Sequence, residues 1–127
     1  MPGLKPITAP WLLVLLALCW AAPAAADCVY PKAPTTLPQG STATYEQMLE
    51  ARTAVSAFDT AVYEFTVCLA LQAQEIRDNG DLGEEELANA LAQLTAIHNA
   101  AIADAEFIAE QFNQQLRIFR ERETPGD

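Results

Sequence analysis

The sequence predicts an all-α protein: a long antiparallel two-helix hairpin with an extended Pro-rich N-terminal arm tied back by a disulfide. Three observations predict it. From Thr44 to Arg122, apolar residues recur at steps of three and four, the spacing of packed helices. One break, Asp78-Asn79-Gly80-Asp81-Leu82-Gly83, divides that stretch. Cys28 and the three prolines that follow it, Pro31, Pro34 and Pro38, precede the helical stretch, and Cys68 lies inside the first helical pattern.

Residues 1–26 read as a secretory signal peptide. Lys5 is followed by an apolar run from Trp11 to Trp20 and by Ala24 and Ala26 at the exit. The run is roughly a dozen residues, short of the ~20 that span a bilayer as a helix. No stable membrane anchor is therefore expected after signal cleavage. A lipoprotein acceptor Cys needs a small residue before it, but Cys19 follows Leu18 and Cys28 follows Asp27.

The whole chain has 127 residues, with 7 basic and 17 acidic side chains. The signal takes Lys5, both Trp residues and Cys19 with it. What remains has one basic residue fewer and every acid, a formal charge one unit below the −10 of the whole chain. Such acidity argues against nucleic acid as a partner, because phosphate binding needs clustered Lys and Arg.

Residues 27–43 contain Pro31, Pro34 and Pro38, which exclude an ordinary helix and favour extended geometry. Gln39-Gly40-Ser41 reads as a turn. Cys28 and Cys68 have only one intramolecular pairing, expected in an oxidising compartment. An intermolecular bridge or a redox pair would compete, although a redox pair is usually Cys-x-x-Cys. At polyproline rise the arm is long enough to lie back along helix 1 and reach Cys68. Val29, Tyr30, Pro31 and Pro34 are expected to cover the apolar stretch 66–71 there.

Thr44 and Gln47 make a capping box that opens helix 1, expected over 44–78. Its stripe is Met48, Ala51, Val55, Phe58, Val62, Phe65, Leu69 and Ile76, with Gln72 as the polar exception. Gly80 suits a left-handed helix stop. Asp81 with Glu84 forms a second capping pattern, so helix 2 is expected over 82–122. Its stripe is Leu87, Leu91, Leu94, His98, Ile102, Ala105, Ala109, Phe112, Leu116 and Phe119. Folding about residue 81 sets Ala51 near Phe112, Phe58 near Ala105 and Phe65 near His98. Residues 123–127 are expected to form a disordered tail.

The chemistry-bearing groups are few. An EF-hand loop begun at Asp78 would need oxygen ligands where Gly80 and Leu82 stand, and an acid where Asn89 stands. His98 is the only histidine, and one seam His without a second His or Cys is a poor zinc site. Asp104 and Glu106 read as solvated, and no Gly-rich phosphate loop occurs. The expectation is no enzyme and no cofactor.

Apolar residues off the seams are the remaining signal. Tyr63, Val67 and Leu71 on helix 1, and Ile97, Phe107 and Ile118 on helix 2, form a candidate interaction surface. They imply self-association or an envelope protein partner. A small ligand- or metal-ion-binding protein, and an inhibitor of a secreted enzyme or toxin, are the alternatives.

Several short motifs carry a resemblance: Cys28 with Pro31 and Pro34, the run 40–44, Gln47-Met48, Cys68-Leu69, and Phe112-Asn113-Gln114-Gln115-Leu116. On these the chain resembles a group of small exported proteins of Gram-negative bacteria. The resemblance implies an exported two-helix protein, in the periplasm or secreted, and brings no activity or site residue with it.

Overall fold

A computed structural model describes residues 27–124. The expected export signal, 1–26, lies outside the described residues, as do positions 125–127. Among the described residues the regular elements are two helices, α1 (Tyr45–Asn79) and α2 (Glu84–Glu123). At 1.5 Å per residue they are roughly 50 and 60 Å long.

Helix α1 starts as its sequence dictates. The Thr44 hydroxyl accepts from the Gln47 amide at 3.2 Å, and the Gln47 side chain accepts from the Thr44 amide at 2.9 Å. Two of the four donors a helix start leaves unpaired are thereby satisfied. The helix ends at Gly80, whose φ of 67° is the left-handed conformation that glycine adopts without a Cβ clash.

The start of α2 departs from expectation. Asp81 is not its cap and residue 82 is not its start. Gly83 is the N-cap, extended at φ −65° and ψ 162°, and it has no side chain to accept a cap bond. Glu84, Glu85 and Glu86 instead set three negative charges against the positive end of the helix dipole. The far end also differs. Glu123 is still helical, and both the amide and the hydroxyl of Thr124 donate to the Arg120 carbonyl, at 3.0 and 2.7 Å. A tail begun at 123 is therefore too early.

The helices pack antiparallel. Met48 and Ala51 from the beginning of α1 share an apolar cluster with Phe112 and Phe119 from the end of α2. Phe58, Val62, Phe65 and Leu69 share a second cluster with Leu94, Ala101 and Ala105. Each large side chain taken out of water there contributes about 1.5–3 kcal/mol before the entropy of ordering it.

The α2 stripe is corrected in its middle. Ala101 is fully buried at 0% exposure, whereas Ile102 is exposed at 37%. The path toward α1 runs through His98, Ala101, Ala105 and Phe112, with Ile108 and Ala109 both half-buried along it, and leaves Ile102 outside. Opposite Val62 and Phe65 only a methyl side chain fits at the closest approach, so the smaller neighbour takes the interior place.

Residues 27–44 reach the pair from the side. Cys28 is bonded to Cys68, 40 residues away, with the two Cα atoms 5.8 Å apart. Tyr30 packs edge-on against Phe65, ring centroids 5.2 Å apart, and its hydroxyl donates to Asp104 Oδ2 at 2.7 Å. Ala33 packs on the second cluster and Leu37 on the first. The turn at Gln39 is closed by bonds from the Thr42 and Ala43 amides to its carbonyl, at 3.0 and 2.8 Å. Val29 does not cover residues 66–71, for it is 82% exposed. With Cys28 turned toward Cys68, the next side chain of an extended chain points the opposite way.

Candidate functional site

Three bonds fix the N-terminal segment to α2. After Tyr30 to Asp104 comes Gly40, whose amide donates to Gln115 Oε1 at 2.9 Å. Then Arg122 Nη2 donates to the Ala43 carbonyl at 2.7 Å. The same guanidinium pairs with Glu123 at 3.0 Å and lies 5.0 Å from the centre of the Phe119 ring. Gly40 is buried, and a Cβ there would run into the Gln115 carbonyl oxygen and the Phe119 amide nitrogen. Those bonds use the side of α2 that carries Asp104, Gln115 and Arg122.

All six residues of the expected interaction surface are exposed. Tyr63, Val67 and Leu71 follow one another at four-residue spacing on one side of α1. Tyr63 is rotated ~100° from the buried Val62, so the row looks away from the seam. Phe107 and Ile118, three turns apart, share a side of α2. Ile97 is set apart from them: it borders a shallow groove at the disulfide, together with Cys28 and Tyr30. The six positions thus form two separate rows and one outlier rather than one continuous patch.

No known protein family, curated protein or solved structure matches this chain. The surfaces themselves are therefore the ground for any functional reading.

Sequence reasoning passed over one of these surfaces. A groove of about 620 Å³ opens between the start of α1 and the end of α2. It is lined by Met48, Phe112, Leu116 and Phe119, with Arg52 and Arg120 also at its walls. No residue of segment 27–43 lines it. The signal that could have found it is the pair of arginines one position off each apolar stripe.

His98 is half-buried in a smaller groove with Leu69, Leu91, Leu94 and Arg77. No carboxylate lines that groove, and among the described residues no group of three His, Cys, Asp or Glu side chains comes together. A cation at His98 would meet apolar walls and the positive charge of Arg77.

Tyr30 is the group whose acidity the fold perturbs. Its phenol pKa is raised above 10.0, first because its proton is shared with Asp104, then through burial and the nearby carboxylate charge. Among the described residues, α1 is also the helix long and apolar enough to cross a membrane by length and composition. Six of its apolar side chains instead point into the seam. The Cys28–Cys68 bond is consistent with an oxidising, exported location.

Proposed function

We propose that this is a non-catalytic exported protein of the cell envelope that works by associating with another envelope protein or with a second copy of itself. The observation that carries the reading is the outward apolar row of α1. Tyr63 and Leu71 keep 69% and 64% of their surface in water, and Phe107 on α2 keeps 59%. A single exposed hydrophobe is ordinary, but rows at helical spacing on a small chain fit association better. The signal-like residues 1–26 and the disulfide support an exported, periplasmic setting.

The test is photo-crosslinking in the exporting cell, with the reactive residue at Leu71 or at Phe107. A discrete crosslinked species at either position is expected, and Tyr63→Glu with Leu71→Glu should abolish the Leu71 product. Monomeric scattering together with no crosslink at either site would sink the reading.

A further inference from the structure

The open groove between the start of α1 and the end of α2 has a chemistry of its own. Its floor is core: Met48 and Phe112 are buried, Phe119 is 9% exposed, and Leu116 is half-buried. Arg52 and Arg120 stand at its walls, one from each helix. The chain is strongly acidic, yet among the described residues neither arginine has a carboxylate within salt-bridge distance. By contrast Arg122, one turn or less away, is held by Glu123 and the Ala43 carbonyl. Two guanidinium groups beside an apolar floor are complementary to an anion that carries a hydrocarbon body.

We propose that this groove binds a single-chain anionic amphiphile, a long-chain carboxylate, with the chain on Met48, Phe112 and Phe119 and the carboxylate between Arg52 and Arg120. Its size favours a small molecule over a partner helix. The lining spans Tyr45 to Arg52 and Phe112 to Arg120, roughly 12 Å of helix, while 620 Å³ falls within the range of ligand pockets. A helix ~10 Å across would need the groove between the two helices to continue, but the adjoining space of about 440 Å³, which shares Leu49 and Arg52, is lined by α1 alone through Thr53, Ser56, Ala57 and Thr60. The proposal is independent of the association reading, since none of Tyr63, Val67, Leu71, Ile97, Phe107 or Ile118 lines the groove.

Calorimetric titration of the disulfide-bonded protein with laurate, below its micelle concentration, tests it. One laurate per chain is expected, with affinity rising about three- to fourfold for each methylene added from decanoate upward. Dodecyltrimethylammonium, the same chain with a cationic head, should bind at least tenfold more weakly. Arg52→Gln with Arg120→Gln should weaken laurate at least tenfold while helical circular dichroism and the intact disulfide mass stay unchanged. Equal binding of the two detergents, or no loss in the double variant, would overturn the proposal. So would absence of laurate binding, whether or not light scattering then shows a second copy in the groove.

Discussion

The amide of Gly40 and the side-chain oxygen of Gln115 meet at 2.9 Å, 75 residues apart in sequence, with no space between them for a side chain. That contact brings the backbone of the N-terminal segment down onto α2, and Arg122 secures the next turn through the Ala43 carbonyl. The obstacles to a Cβ at Gly40 are backbone atoms of α2, which cannot swing aside as a flexible side chain would. Gly40→Ala is therefore expected to cost about 3 kcal/mol, the upper part of the usual range for overpacking. Chemical denaturation of the two proteins measures it. A variant within 0.5 kcal/mol of wild type, as is usual at plain surface sites, would show that the close approach is not needed.

Removing the disulfide by Cys28→Ala with Cys68→Ala should have the largest effect. Closing a loop of 40 residues restricts the unfolded chain by about 4 kcal/mol on loop-closure entropy. For a domain of this size each kcal/mol moves the melting temperature by about 4–8 °C. Thermal melts with and without reductant give the figure, and mass spectrometry of the native protein reports the bond directly.

The middle of α2 offers a paired test. Ala101→Leu forces a larger side chain into a fully buried place and should cost about 2 kcal/mol. Ile102→Ala removes far more apolar surface, yet from a partly exposed position, and should cost about 1 kcal/mol or less. If Ile102→Ala were the more damaging, the interior path would follow the larger residue after all.

Alkaline pH tests the Tyr30–Asp104 bond. The folded phenol has a pKa above the unfolded value, so its contribution to stability is complete below that unfolded value, near 10. It is lost as pH rises through the higher folded pKa. Tyr30→Phe keeps the ring against Phe65 and removes only the hydroxyl. The variant should be slightly less stable than wild type at neutral pH, by under about 1 kcal/mol for so exposed a bond. The difference should vanish at strongly alkaline pH. A gap that stays constant with pH would assign the effect to packing instead of to the proton shared with Asp104.

Much of the fold is written locally. The capping box at Thr44 and Gln47, the stop at Gly80 and the buried stripe of α1 each depend on neighbours within a few residues, so spacing and residue type expose them. The start of α2 is less legible because two candidate signals overlap. Asp81 has the right chemistry for a cap, but the chain stays non-helical through Gly83, and the charges of residues 84–86 act on the helix without a cap bond. The exposed rows at Tyr63 and Phe107 were also legible, since a residue off the seam must face outward when the helix has one packed face.

The sequence by itself determined the helices, their antiparallel order and the one cysteine pair available in residues 27–124, because helical periodicity, short breaks and cysteine count are local or combinatorial facts. Only the tertiary structure decided which neighbour lies inside at Ala101 and Ile102, where the N-terminal segment touches α2, and which groove stays open beside Arg52 and Arg120. Those outcomes turn on how closely two backbones approach and on which side a third stretch of chain settles. Both are set by the fit of side chains far apart in sequence, which no local pattern specifies.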